Sequence, residues 1–249
     1  MEAGVKEIVL VSQDTPAYGH DLSDGSSLEG LLKELVKTEG LRWIRLLYCN
    51  PYHFTDGLIS LIRNEEKICK YLDIPIQHIN DRILRAMNRK TSGRDIRALM
   101  ERLKREIPGL TLRSTAIVGF PGETQDEFTE LLSFLKEAEM EWFGAFPYSP
   151  EEGTRASTLP GQLPKKISGE RWEEFMGIQS SISQGKNESL IGKEVLVLVE
   201  GREDGRVYGR TSGQAPEVDG RTYVEVPEGM AIPRPGEFVR ARIIDGLTY

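Results

Sequence analysis

The stretch AIVGFPGET, residues 116–124, joins an apolar segment to a glycine–proline turn and the start of a helix. Alanine, isoleucine and valine suit a buried strand, whereas Gly119 and Gly122 permit positive φ and close approach of a ligand to the backbone. Thr124 followed by Glu127 is a capping box, which predicts that a helix begins here. The stretch therefore predicts a strand, a tight turn and a helix, the repeating unit of a parallel α/β fold.

The first 148 residues alternate between short apolar segments and helical patterns. Each apolar segment is predicted to be a strand, and the segments span residues 7–12, 43–48, 71–76, 112–118 and 142–148. Helical spacing predicts a first helix capped by Ser26 with Glu29. Further helices are predicted at residues 55–64, 81–89 and 94–106. The alternation predicts a parallel sheet, but periodicity does not distinguish an open sheet from a barrel.

The composition and the hydrophobic pattern of the sequence change after the fifth predicted strand. A loop rich in Gly, Pro, Ser and Thr is followed by an amphipathic helical pattern over residues 168–188. From residue 191 four apolar segments are separated by glycine-bearing turns, which predicts a small β-barrel. We expect an α/β unit, a linker with one helix, and an all-β unit over residues 1–150, 151–190 and 191–249, respectively.

Composition and charge limit the possible functions. With 249 residues, 39% of them hydrophobic, and a net charge of −7, the chain is typical of a globular protein. It has no run of about 18 apolar residues and no signal-peptide pattern, so we expect no membrane span and a cytoplasmic location. An acidic chain does not attract nucleic acid, which favours a small molecule or a basic protein as partner. The nine Lys and Arg of residues 82–105 leave an anionic partner as an alternative to a solvated helix surface.

The cysteines and histidines give little support to a metal site. Cys49 and Cys69 form no CxxC pair, so a zinc or iron–sulfur site made by this chain alone is not expected. Two buried thiols are the simpler interpretation, and a thiolate–imidazole pair of Cys49 with His53 is the alternative. His20 and His53 have no partner nearby in sequence, and a lone histidine such as His78 is more often structural.

Polar residues follow all five predicted strands. In parallel α/β folds the carboxyl ends of the strands share one edge, where ligands bind. The polar segments cover residues 12–14, 50–53, 77–81, 119–123 and 149–154. Their common position favours a ligand site, whereas loops and helix caps of similar composition also follow strands in proteins that bind nothing there.

The glycine-bearing turn does not match a nucleotide-binding motif. It is neither GxGxxG nor followed by GK[ST], so dinucleotide or triphosphate binding is poorly supported. Free N–H groups at the start of the following helix still offer donors to an acceptor.

Four stretches together resemble a known family. They are IVGFPGET (117–124), DIPIQHINDRILRAMNR (73–89), YSPEEGTRA (148–156) and VYGRTSGQAPEVDG (207–220). The combination covers essentially the whole chain and is similar to the radical S-adenosylmethionine (SAM) methylthiotransferases. The QH after DIPI and the EEGT resemble the members that methylthiolate an aspartate of a ribosomal small-subunit protein, more than those that modify tRNA.

The resemblance implies a fold and a set of cofactor contacts. The fold is a partly open (βα)6 barrel followed by a TRAM domain, a small β-barrel similar to an OB-fold. The first polar segment implies contacts to the methionyl amino group of SAM, the third to its ribose, and the glycine-bearing strand end to its adenosyl group. Arg113 is a looser candidate for meeting a carboxylate. The other implied residues are Ser12, Gln13 and Asp14; Gln77 and His78; and Gly119, Phe120, Gly122 and Glu123.

One family feature is absent from this sequence, the CxxxCxxC loop. In the family three thiolates hold three irons of a [4Fe–4S] cluster, and the fourth iron binds SAM. The resemblance implies that a first strand, the cluster loop and a further cluster domain precede residue 1, so we expect a truncated piece, shortened also at its C-terminus. We expect this chain alone to bind SAM weakly and not to cleave it.

Three other functions stay open from the sequence. The first is modification of tRNA, but residues 190–249 hold 8 Lys or Arg against 10 Asp or Glu. That balance suits capture of a basic ribosomal small-subunit protein by the TRAM domain better than capture of RNA. The second is a non-catalytic binding protein with a degenerate barrel. The third is an unrelated barrel that binds a phosphate group.

Overall fold

The computed structural model describes residues 4–248, which form two β-sheets. In this described range the first sheet is parallel, as predicted, with strands β1 (Glu7–Leu10), β2 (Trp43–Leu46), β3 (Ile68–Asp73), β4 (Thr111–Val118) and β5 (Trp142–Pro147). Their order across the sheet, β1-β2-β3-β4-β5, is their order along the chain. Such an order has no reversal point, so the strands wind in one direction like the wall of a partial barrel.

Strand β3 begins earlier than predicted, at Ile68 instead of residue 71. The charged Lys70 concealed this start in the sequence. Its Nζ atom donates to the backbone carbonyl oxygens of Glu65, before the strand, and of Ile68, its first residue. Pairing with β4 runs only as far as Asp73, because Pro75 has no N–H to donate, and it resumes as an isolated bridge at Gln77.

Within residues 4–248, six α-helices lie between and after these strands. They are α1 (Leu28–Leu35), α2 (Asp56–Asn64), α3 (Asp81–Ala86), α4 (Gly93–Glu106), α5 (Gln125–Ala138) and α6 (Lys165–Glu188). The predicted capping box of α5 is confirmed, since Thr124 and Glu127 bond each other's backbone N–H groups. The predicted cap of α1 is wrong by one residue. Ser27 accepts the N–H of Gly30, because Ser26 is already used in the preceding turn.

The helices bury one face against the parallel sheet. Phe128, Leu131 and Leu135 of α5 are fully buried, as their spacing in the sequence predicts. Each contributes about 1.5–3 kcal/mol relative to leaving the side chain in water. None of the helices in the described range is both long and apolar enough to cross a membrane.

The second sheet is antiparallel and corresponds to the predicted terminal β unit. Its strands in the described part of the chain are β6 (Glu194–Glu203), β7 (Arg206–Arg210), β8 (Thr222–Val224) and β9 (Phe238–Arg242), in the order β8-β7-β6-β9. The outer strands β8 and β9 do not pair with each other within residues 4–248, so the sheet is a half-barrel and not a closed ring.

The turn after β7 closes the amino end of the parallel sheet. Trp142, the first residue of β5, donates from Nε1 to the carbonyl oxygen of Gly213 at 2.9 Å. Arg45 of β2 donates to the carbonyl oxygen of Ser212 at 2.8 Å. Glu7, which begins β1, accepts from Arg210 at 2.6 Å. A ligand therefore approaches the sheet from the opposite, carboxyl end of the strands.

Asp219 is the deepest contact of this turn with the parallel sheet. Its side chain is almost wholly buried; it accepts the hydroxyl of Tyr71 at 2.6 Å and lies 3.3 Å from Nε of Arg113. The N–H of Ala215 in the same turn donates to it at 2.8 Å. One carboxylate therefore joins two strands of one sheet to a turn of the other.

Replacing Asp219→Ala should lower the free energy of unfolding by about 2–4 kcal/mol, because buried donors lose their acceptor. Urea unfolding measures the change. The exposed Glu228→Ala is the control and should change the free energy by less than about 0.5 kcal/mol. An unchanged unfolding midpoint for Asp219→Ala would contradict the role of this carboxylate in joining the two sheets.

Candidate ligand-binding site

A small pocket opens at the carboxyl ends of β1, β2 and β3. Its volume is about 110 Å³, and its lining comes from three chain segments: Gln13, Tyr48, Asn50, Pro75, Gln77 and Arg89. Most small-molecule sites measure roughly 300–1,000 Å³, so a nucleoside-sized ligand would extend from this pocket into the open side of the partial barrel. We call it the rim pocket. It lies at the edge of the sheet where the sequence predicted a ligand.

A wider groove of about 390 Å³ lies on the outer helices α3, α4 and α5. Its walls carry charges of both signs, including Arg94, Arg97 and Glu101. These are the solvated helix faces that the basic composition of this region suggested. We place the ligand at the rim pocket because the polar segments of three strands converge there, whereas the groove collects residues mainly of neighbouring helices.

Two residues of the rim pocket have a strained backbone. Tyr48 and Gln77 have φ angles of 53° and 71°, the left-handed region that residues with a Cβ rarely adopt. Such conformations cost about 1–3 kcal/mol each and persist only where the surroundings impose them. Here Asp73 Oδ2 accepts the N–H of Tyr48 at 3.1 Å, and Gln77 pairs through its N–H and carbonyl with β4. The fold thus keeps two residues of the pocket wall in backbone conformations of high free energy. Such conformations are characteristic of functional sites.

The first predicted site segment lies at the mouth of this pocket. Ser12 Oγ accepts the N–H of Asp14 at 3.2 Å, which fixes the turn after β1. Gln13 lines the pocket, and the carboxylate of Asp14 lies 2.7 Å from Nδ1 of His53. The structure therefore places Gln13 and Gln77 in the lining of one pocket, and contacts of this segment with SAM stay a prediction.

His78 and Glu123 are not at the pocket surface, because both side chains are fully buried. Nδ1 of His78 accepts the N–H of Asn80 at 2.9 Å, so Nε2 carries the proton and donates to Glu123 Oε1 at 3.0 Å. The other oxygen of Glu123 accepts from Gly119 N at 2.5 Å and from Arg171 of α6 at 2.6 Å. Both side chains bond groups within the protein and join the strand ends, so their contact with a ligand stays a prediction.

The backbone donors of the turn after β4 are used within the protein. The N–H of Gly122 donates to the carbonyl oxygen of Gly161 at 2.8 Å, and that of Glu123 to Phe120 at 2.9 Å. The N–H of Thr124 donates to its capping-box partner at 2.8 Å. The suggestion that free N–H groups at this helix start hold an acceptor is therefore wrong for these donors, since each already has one.

The glycines of this turn serve close packing. At Gly119, φ is 75°, and an added Cβ would lie 2.3 Å from the Cβ of Ser168 in α6. The Phe120 ring is buried and meets Tyr148 edge-on at 5.3 Å, so its side chain is turned away from the pocket. Backbone contacts of Gly119 and Gly122 with a ligand stay a prediction.

The guanidinium of Arg113 is already paired with carboxylates of the protein. It lies 3.1 Å from Asp73 and 3.3 Å from Asp219, between the two sheets. Opposite charges on both sides raise its pKa, although burial opposes that change. A guanidinium paired with two carboxylates is poorly placed to bind the carboxylate of a ligand.

Arg89 is the pocket residue that the sequence reading missed. It donates from Nη2 to the carbonyl oxygen of Pro75 at 2.6 Å and lines the rim pocket. Burial lowers its pKa, and nearby Asp14 partly offsets this. In the sequence, Arg89 is one of nine basic residues that were interpreted as a solvated helix surface. The only indication that it lies near the strand end is its position twelve residues after Gln77.

Neither cysteine has the surroundings of a metal ligand or nucleophile. Cys49 and Cys69 are free and buried, as predicted, and burial raises the pKa of both thiols, that of Cys69 to about 11. His53 bonds Asp14, so the alternative pair with Cys49 is not formed. In the described part of the chain, no group of three His, Cys, Asp or Glu side chains is placed to hold a metal ion.

Two family models match this chain. The model of the radical SAM superfamily matches residues 1–135, which is more than half of the 249 residues. The model of the TRAM domain matches residues 191–249.

Relatives with curated names agree with these matches. The ribosomal protein uS12 methylthiotransferase RimO of Geotalea uraniireducens is 47% identical over 249 residues, which is 99% of this chain and 55% of the relative. The RimO of Desulforudis audaxviator is 48% identical over 246 residues, 99% of this chain and 54% of the relative. The chain thus spans about half the length of the curated relatives it matches.

Among solved structures, coproporphyrinogen III oxidase (HemN) from Escherichia coli, a radical SAM enzyme, superimposes with a TM-score of 0.51. The sequence identity is 16%, and the match covers 62% of this chain and 37% of that one. At this identity the similarity concerns the fold alone, and it agrees with a parallel sheet wound in one direction.

The buried cluster around Glu123 yields a stability prediction. Glu123→Gln should lower the free energy of unfolding by about 3–5 kcal/mol, because Arg171 then keeps its charge in the interior without a counter-ion. Adding Arg171→Met should restore part of the loss, since the uncompensated charge is removed. Urea unfolding measures both, with the exposed Glu173→Gln of the same helix α6 as control. If the double variant is less stable than the single one, the two side chains do not act as a pair.

Proposed function

Because this chain belongs to the radical SAM superfamily and contains a TRAM domain, we propose that it forms the SAM-binding and target-binding part of a methylthiotransferase that acts on ribosomal protein uS12. Identities of 47% and 48% with two uS12 methylthiotransferases over nearly the whole chain support the proposal. We assign residues 1–150 to the partial SAM barrel, 151–190 to the connecting helix and 191–249 to the TRAM domain. As implied by the resemblance, the modified residue is an aspartate.

The observation that carries the proposal is the composition of the rim pocket. It brings the amides of Gln13 and Gln77 and the guanidinium of Arg89 to one mouth, beside a strained backbone, and Asp14 directly follows Gln13 in the chain. SAM carries an ammonium, a carboxylate and a ribose, which an acidic, a basic and an amide side chain can each bind. We assign the ammonium to Asp14, the carboxylate to Arg89 in place of Arg113, and the ribose to Gln77.

The rest of the described chain positions these groups. The carboxylate of Glu123 holds the ends of β3 and β4 against α6, so the backbone on which Gln77 stands cannot drift. The turn of the antiparallel sheet bonds the amino end of the strands and covers it. Together they leave one route for a ligand, through the rim.

The residues of this chain do not fit a [4Fe–4S] cluster. Three thiolates are needed to hold it, and Cys49 and Cys69 are two buried thiols on different strand segments. Reductive cleavage of SAM is the chemistry such a cluster supplies in the superfamily. We therefore assign to this chain the binding and orientation of SAM and of the target, and no step of the cleavage.

Binding of S-adenosylhomocysteine, which keeps the amino-acid and nucleoside groups of SAM, tests the site. The chain should bind it measurably in isothermal titration calorimetry. Arg89→Gln should weaken binding about tenfold, because a charge-assisted pair is lost. The exposed Arg94→Gln on α4 is the control and should bind like the wild type. A chain that binds no S-adenosyl compound, or an Arg89→Gln variant with unchanged affinity, contradicts this assignment.

Cleavage is tested separately. Incubating the purified chain with SAM and a strong reductant should give no 5′-deoxyadenosine, as measured by chromatography with mass detection. Accumulation of that product would show that the chain completes the chemistry by itself.

Charge distinguishes the target protein from tRNA, the alternative target. The segment 190–249 has more Asp and Glu than Lys and Arg, which suits a basic ribosomal protein. Affinity for uS12 should fall as salt rises from 50 to about 300 mM, because exposed charges are screened. Tight, salt-sensitive binding of tRNA with no binding of uS12 would favour the alternative.

A further inference from the structure

We propose that His53 is a positioning residue, which fixes the carboxylate of Asp14 so that this group receives the ammonium of the ligand's amino-acid portion. The inference rests on the proposed function, because it requires an amino-acid-bearing nucleoside at the rim. In the sequence analysis His53 had only an alternative pairing with Cys49, and in the structure it pairs with Asp14 instead.

The geometry of the pair defines its proton. His53 follows β2 and Asp14 follows β1, and Nδ1 of the imidazole lies 2.7 Å from Oδ2 of the carboxylate. An ionised carboxylate only accepts, so Nδ1 carries the hydrogen and donates it. The two side chains keep 25% and 22% of their surface exposed, so the pair is partly accessible to a ligand.

The second carboxylate oxygen indicates that the side chain of Asp14 is restrained in an unfavourable orientation. Oδ1 is buried and, within residues 4–248, has no hydrogen-bond partner. A buried acceptor without a donor costs about 1–3 kcal/mol, so a free carboxylate would rotate to avoid this state. The bond from His53 to Oδ2 is the contact that opposes the rotation.

Neighbouring rings hold the imidazole itself. His20 meets His53 edge-on with ring centroids 5.2 Å apart, and Tyr52 does so at 5.1 Å. Nζ of Lys90 lies 5.5 Å from the centre of the Tyr52 ring, which adds a cation–π contact to the arrangement. A ring restrained in this way can impose one orientation on the carboxylate that it binds.

Arg89 is the charged group that would otherwise attract Asp14. Burial lowers the pKa of Arg89, and the negative charge of Asp14 partly offsets this change. A carboxylate turned toward Arg89 would occupy the guanidinium needed for the ligand's carboxylate and withdraw the acceptor needed for its ammonium. By holding Asp14 in place, His53 keeps the carboxylate of Asp14 available to the ligand's ammonium and the guanidinium of Arg89 available to the ligand's carboxylate.

Two ligands separate positioning from general stability. S-adenosylhomocysteine has the amino-acid group, and 5′-methylthioadenosine has the same nucleoside without it. His53→Phe should weaken S-adenosylhomocysteine about tenfold, the effect of losing one well-placed charged contact, and leave 5′-methylthioadenosine unchanged. His53→Asn, whose side-chain N–H replaces Nδ1, should keep most of the affinity. The exposed Glu173→Gln on α6 is the control and should bind both ligands like the wild type.

A double-variant cycle completes the test by calorimetry. Asp14→Asn should already lack the preference for S-adenosylhomocysteine, so adding His53→Phe should change its affinity less than about twofold. Equal losses for both ligands in His53→Phe, unchanged binding of S-adenosylhomocysteine, or additive losses in the cycle would each overturn the inference. A wild-type chain that binds neither ligand overturns the proposed function, and the inference falls with it.

Discussion

The buried carboxylate of Glu123 is the interaction on which the arrangement of the site depends. It accepts from His78 after β3, from the backbone of Gly119 after β4, and from Arg171 of α6. A charge in the interior is stable only while its donors are in place, so the three segments are fixed together or not at all. Gln77, whose backbone is strained, directly precedes His78, so this junction and the pairing with β4 together position the wall of the rim pocket.

The antiparallel sheet covers one end of the parallel strands, and the other end is left open to a ligand. The antiparallel sheet inserts a turn under the amino ends, where Asp219 and the carbonyl oxygens of Ser212 and Gly213 take donors from the parallel sheet. The carboxyl ends stay open and collect polar groups of both charges. A path of ion pairs from Asp219 through Arg113 to Asp73 joins the closed end to the backbone of the pocket.

The sequence predicted the features that depend on local pattern. Apolar runs located the strands, and the capping box at Thr124 located α5, because these signals need no distant partner. The sequence prediction failed where the position of a side chain depends on a residue far away along the chain. Lys70 looked like a solvated charge but bonds carbonyl oxygens, and Arg113 looked available although Asp219, more than a hundred residues away, already holds it. His78 and Glu123 were placed correctly at the strand ends, yet their side chains point inward to each other.

A crystal structure of this chain with S-adenosylhomocysteine is the most direct measurement of the central claim, that the rim pocket holds a sulfur-bearing nucleoside. The account predicts the ligand at the carboxyl ends of β1 to β3, with its ammonium on Asp14 and its carboxylate on Arg89. A ligand found instead in the groove among α3, α4 and α5, or bound with its amino acid facing Arg113, would contradict it.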